Sequence, residues 1–213
     1  MKPMLFNTEM VRAILDGRKT VTRRIAHIRT DVRCYGDDNF AHKFVRDDFA
    51  GGEYTGYVCS KCGLGVNPPY SRYHTGTSWI RPYCEQGDIL YVRETWHKDV
   101  ARYMYKADYS ENEKFYMGGK EIQIKWRPSI HMPKEAARLF LRVTGVRVER
   151  LQDLTDEDVI AEGLEIGCYF DELWDSTIPK KDRDRYGWNA NPWVWVIEFE
   201  RISKNERNEL ESV

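Results

Sequence analysis

The 213-residue sequence contains no apolar run of about 18 residues, so nothing in it reads as a membrane-spanning helix. Residues 1–7 lack the apolar stretch of a secretory leader, and a cytoplasmic location with no membrane partner is expected. Charge of either sign is not in excess: 33 basic against 34 acidic side chains leave a net −1. Such a chain does not coat nucleic acid by bulk charge, and any such binding must come from a local basic patch. Internal repeats are absent. So is the regular strand–helix alternation that builds a doubly wound sheet. Cysteine is limited to 5 residues, which in a reducing compartment are thiols or metal ligands rather than disulfides.

What is present is enough for one core: 41% of residues are hydrophobic and 13% aromatic. The 7 Trp and 13 Tyr suit both cores and ligand-stacking surfaces, because each carries a large ring with a polar handle. The expected organisation is a single domain over residues 1–203, with an insertion at 26–86 and a polar, frayed tail at 204–213. The insertion is rich in Gly, Tyr, Asp and Arg. It is too long for a plain loop.

Local signals outline the elements. A short strand precedes a helix capped by Asn7 or Thr8, with Met10, Val11, Ile14 and Leu15 on one face and Gly17 ending it. Residues 89–96 read as one strand that puts Leu90, Val92, Glu94 and Trp96 on a common face. If that face is inward, Glu94 needs a cation, with Arg24 or Arg127 as candidates. Residues 133–139 read as a short helix opened by a proline. The strand carrying Leu141 to Val148 is expected to bulge at Gly145. Thr155 caps a helix that Gly163 stops, and residues 193–199 form the last strand. The sum is an α+β fold, a small mixed β-barrel with two or three short helices.

The densest chemistry lies in Gly17-Arg18-Lys19-Thr20-Val21-Thr22-Arg23-Arg24. Three readings compete. In the first, the cations simply complement the helix end before them. In the second, the arginines hold phosphates through their planar donor forks. In the third, Lys19, drawn out of water, acts as a base toward Thr22 or a substrate water. In a regular strand Lys19 and Thr22 would face opposite sides, so they converge only if the chain turns first. Glu162 sits in the last turn of its helix, the unfavourable end for an anion by about 0.3–1 kcal/mol. A cation such as Lys19 or Arg24 nearby would remove that cost.

The pattern Gly17-x-Lys19-x-x-Thr22-x-Arg24 resembles the signature of the ASCH domain family, a branch of the PUA-like barrels. So do the Gly87-Asp88 turn, Ala161-Glu162-Gly163 and the strand Trp195-Val196-Ile197-Glu198-Phe199. The stretches Val92-Arg93-Glu94-Thr95-Trp96 and Lys125-Trp126-Arg127-Pro128-Ser129-Ile130-His131-Met132-Pro133 are similar to those of the longer phage and prophage members. The resemblance covers most of residues 1–25 and 87–202. It implies a small barrel with a cleft for RNA or a modified nucleoside. The family includes a bacterial 4-acetylcytidine amidohydrolase, whose catalytic set would fall on Thr22 as nucleophile, Lys19 as base and Glu162 as the group orienting Lys19. Arg18, Arg23, Arg24, Arg93, Glu94, Trp96 and Arg127 are the candidate ligand-binding residues. The expectation is an RNA- or modified-nucleoside-binding protein, with hydrolysis of an amide or phosphodiester by the Lys/Thr/Glu set. The alternative is a non-catalytic RNA-binding or partner-docking adaptor.

Cys59-Ser60-Lys61-Cys62-Gly63 has zinc-knuckle spacing, and Cys34 and Cys84 flank it. Four thiolates would close a structural zinc site and order the insertion without a core. His42 or His74 could replace Cys34 or Cys84, and four unrelated thiols are the competing reading. Cys168 stands apart and is expected to pack.

Overall fold

The computed structural model describes residues 1–26, 82–100, 102–165 and 167–211, and the backbone of 44–47, 56–59 and 65–66. In chain order the elements begin with β1 (Lys2–Leu5), α1 (Thr8–Leu15), β2 (Val21–Ile25), β3 (Phe44–Asp47), β4 (Gly56–Cys59), β5 (Gly65–Val66), β6 (Ile89–Arg93), β7 (Trp96–Lys98) and β8 (Tyr103–Tyr105). They continue with β9 (Phe115–Met117), β10 (Lys120–Ile122), β11 (Phe140–Arg150), α2 (Asp156–Ala161), α3 (Phe170–Thr177), α4 (Arg183–Tyr186), β12 (Trp193–Ile202) and α5 (Lys204–Glu211). The fold is α+β. Its main sheet has five strands in the order β1-β6-β11-β12-β2, with β1 parallel to β6 and the other pairs antiparallel. Smaller sheets are β3-β4-β5, β7-β8 and β9-β10.

β12 organises the core because both of its faces are covered. Strand side chains alternate between faces. Trp195, Ile197 and Phe199 pack with Val92, Leu141 and the Val11 and Ile14 face of α1. Val194 and Val196 pack on the other side with Val159 of α2 and Phe170 and Trp174 of α3. The bulge in β11 falls between Val143 and Gly145, where the register with β12 shifts. β1 and β2 are the two edges of the sheet. Among the described residues no backbone ladder joins them, yet Arg24 of β2 donates from Nη2 to the Leu5 carbonyl of β1 at 3.0 Å. The sheet therefore curls until its edges lie one side chain apart.

Several local expectations change. The strand expected over 89–96 breaks at Glu94 and Thr95, and Trp96 pairs instead with Tyr105 across β7-β8. Leu90, Val92, Glu94 and Trp96 are nonetheless all buried. Residues 133–139 give only a 3₁₀ turn, Lys134–Ala136. The tail is not frayed over residues 204–211: it forms α5 there, entered through a reciprocal cap in which Ser203 Oγ accepts from the Glu206 N–H and Glu206 accepts from the Ser203 N–H. The insertion leaves at Ala26 and returns at Cys84, and both are buried in the same core cluster.

The turn into β2 depends on two glycines. Asn7 caps α1, accepting from the Met10 N–H at 2.8 Å, and Gly17 at φ 75° ends it. The chain then runs along the end of α2, where the Thr20 N–H donates to the Ala161 carbonyl and Arg18 to that of Gly163. Gly163 has φ 84°, and a Cβ there would stand 2.7 Å from Ala13 Cβ and 2.9 Å from Lys19 Cβ. Gly167 has a similar φ, 82°, but open space around it. Gly163→Ala is therefore expected to cost about 2–4 kcal/mol, strain plus overlap, and Gly167→Ala about 1 kcal/mol. Urea unfolding of the two variants checks the difference.

Candidate functional site

Lys19 precedes β2, bridged to Glu162 across the end of α2. Its ammonium is buried, and it donates to Val21 O at 2.8 Å, Glu162 O at 2.9 Å and Glu162 Oε2. Three acceptors match the three N–H of a charged amine. Burial nevertheless lowers the Lys19 pKa, with Arg24 and Arg23 adding to that, and the Glu162 charge and hydrogen bond only partly oppose it. The folded protein thus gives up this proton at lower pH than the unfolded chain. Its cost to stability is present in full below the folded-state pKa and is relieved as pH rises toward the usual lysine value of 10.5. The misplaced helix-end carboxylate has the cation its position called for.

Arg23 completes a buried ionic knot. Its backbone N–H donates to Glu162 Oε1 at 2.8 Å. Its guanidinium pairs with Glu149 at 2.7 Å, Asp158 at 3.0 Å and Glu162 at 3.4 Å. Burial alone would lower the Arg23 pKa, but these carboxylates outweigh it and the net shift is upward. Arg147 extends the knot toward solvent through Glu149, Asp158 and Glu198.

Above this knot lies a cavity of about 950 Å³ in the seam between the sheet edges. Lys19, Thr22, Arg23, Arg24 and Glu162 all line it. The turn after Gly17 resolves the strand-parity problem, because Lys19 stands outside β2 while Thr22 is within it. Thr22 is 2% exposed, and its hydroxyl makes no hydrogen bond with the described residues. Phe6, Phe170, Trp174 and Trp195 supply aromatic wall, and residues 3–5 of β1 form the opposite lip. Lys19 Nζ and Arg24 Cζ lie 5.8 Å and 5.4 Å from the Phe6 ring centroid.

The wall from α3 was not singled out in the sequence. Its signal was the spacing of Phe170, Leu173, Trp174, Thr177 and Ile178, a one-sided helical stripe. Tyr83, at the return from the insertion, also lines the cavity and donates to Pro3 O.

Other candidates lie elsewhere. Arg18 is half exposed and paired with Asp16. Arg93, Glu94, Trp96 and Arg127 do not line this cavity. The cation for Glu94 is neither Arg24 nor Arg127 but Arg138, which donates to both carboxylate oxygens at 2.9 Å. Burial raises the Glu94 pKa, with Arg138 opposing. Arg127 instead lies over the Trp96 ring, 5.1 Å from its centroid. Of the cysteines, Cys34, Cys62 and the side chain of Cys59 lie outside the described residues. Cys84 is a free thiol in the core, pushed up to about 11 by burial. Cys168, expected to pack, is exposed. Among the described residues no helix is long and apolar enough to cross a membrane.

Lys19→Met should destabilise the protein by about 3–5 kcal/mol, because it leaves Glu162 buried without its ammonium. Glu162→Gln should do likewise, and Lys19→Met/Glu162→Gln should cost clearly less than the sum. Denaturant titration of the four proteins measures the coupling. No family model, curated protein or solved structure matches this chain.

Proposed function

We propose that the chain binds one nucleoside unit, in RNA or as a modified nucleoside, in the seam pocket of an ASCH-like, PUA-like fold, and hydrolyses an acyl amide on it. The observation that carries this reading is the meeting of Lys19, Thr22 and Glu162 in one cavity with aromatic walls. Flat apolar surfaces suit a base, and stacking on an aromatic ring is worth about 1–3 kcal/mol per base. The Thr22 hydroxyl, without a described partner, is available to a ligand.

The chemistry follows from the buried pair. Loss of the Lys19 proton to solvent, favoured by its lowered pKa, leaves a neutral amine that Glu162 holds in place. That amine takes the Thr22 proton as the oxygen attacks the acyl carbonyl. The C–N bond breaks and the leaving amine takes a proton from Lys19. Water then hydrolyses the threonyl ester, giving acetate where the acyl group is acetyl and restoring Thr22. The alternative, a non-catalytic RNA-binding or partner-docking adaptor, uses the same cavity without turnover. Zinc in the insertion is a separate proposal. Its donors are Cys34, Cys59, Cys62 and Cys84, with His42 or His74 as a replacement for Cys34 or Cys84. About one zinc per chain in the wild type and none in Cys59→Ser is expected on metal analysis.

Incubation with 4-acetylcytidine should release acetate. The rate should fall by about 10²-fold or more in Thr22→Ala and Lys19→Ala. It should rise with pH through the lowered Lys19 pKa, since the neutral amine is the active form. No turnover by wild type, with the nucleoside still bound, would leave the adaptor reading in place.

A further inference from the structure

The hydrogen-bond inventory of the pocket states what its ligand must bring. Glu162 has no idle oxygen: Oε1 accepts from Arg23 and Oε2 from Lys19. All three Lys19 N–H groups have acceptors, and Arg23 is matched by Glu149, Asp158 and Glu162. Arg24 is different. Its Nη1 donates to Arg23 O at 3.1 Å and its Nη2 to Leu5 O at 3.0 Å. A guanidinium has five N–H groups, so three are left. It forms no ion pair with any described residue. The side chain is held across the seam and over Phe6, half-buried and charged, with no ion pair among the described residues; burial lowers its pKa and the nearby Glu162 charge opposes this only in part.

A fixed cation withdrawn from water and facing a largely apolar cavity is costly unless something anionic joins it. We infer that Arg24 is the anion subsite of the pocket, so that the ligand is a nucleotide unit whose phosphate meets Arg24 rather than a free nucleoside. This rests on the nucleoside reading given above. Within that reading the anion is a phosphate, whose oxygens fit the remaining donors of the planar fork. Arg18 is an unsuitable rival because it is exposed and already paired with Asp16. The phosphate belongs either to a mononucleotide or to an RNA strand.

The test is calorimetry on Thr22→Ala, which cannot form the threonyl ester. Its ligands are 4-acetylcytidine, its 5′-monophosphate, and a short single-stranded RNA carrying one 4-acetylcytidine. The monophosphate is expected to bind about tenfold or more tightly than the nucleoside, the value of one charged hydrogen bond. The ratio should shrink as salt is raised. Adding Arg24→Gln should bring it near one, and adding Arg24→Lys, which keeps the charge, should restore part of it. RNA binding clearly tighter than the monophosphate identifies the strand as the source, and equal or weaker binding identifies the mononucleotide. Equal affinity for nucleoside and monophosphate, or a ratio that survives Arg24→Gln, overturns the anion subsite and leaves the nucleoside reading standing. No binding of any of the three overturns both.

Discussion

The buried contact between the Lys19 ammonium and the Glu162 carboxylate is the constraint on which the rest of the site depends. It joins the start of β2 to the C-terminal end of α2, two elements far apart in sequence. Neither charge has water to turn to, so each fixes the other. The Arg23 backbone and guanidinium hold the second carboxylate oxygen. Buried ion pairs are a weak source of stability, since well-packed apolar residues do as well or better. Placing such a pair at the floor of a cavity, with the amine pKa lowered by burial, is the arrangement expected where proton transfer is needed.

The cavity exists because the sheet curls without a described ladder between its edges. Strand edges carry unpaired backbone groups, and a protein must cover or use them. Here the Leu5 carbonyl of β1 accepts from Arg24 of β2, so a side chain spans the gap that a ladder would have filled. α3 lays its apolar stripe against one side of the opening, and α1 and β1 form the other. The close approach of the Gly163 turn to Ala13 and Lys19 sets the floor. Geometry and electrostatics come from the same few contacts, so a change in one disturbs the other.

Much of this was legible in the chain. Asn7 and Gly17 bracket α1 through local capping chemistry, and Thr155 and Gly163 do the same for α2. The bulge at Gly145 followed from a break in alternation. The cost of an anion at the end of α2 pointed to a cation partner, which is Lys19. Where local reasoning failed, a non-local contact decided. The strand read over 89–96 breaks because Trp96 pairs with Tyr105 and Arg127. Glu94 takes Arg138, which no spacing could identify across 44 residues. The tail is helical because Ser203 and Glu206 cap each other, a signal hidden by its polarity.

The sequence by itself determined the local vocabulary: helix ends, the basic run after Gly17, the two-sided apolar character of β12, and the need of Glu162 for a cation. These are written in side chains a few residues apart, where backbone geometry translates spacing directly into position. Only the tertiary structure decided which arginine takes the carboxylates of the knot. Arg23 and Arg24 are neighbours in the chain, yet alternation along β2 and the packing of α2 give one ion pairs with three carboxylates and the other none among the described residues. Charge pairing is set by distance in space, and that distance is fixed only once the strands and helices have packed.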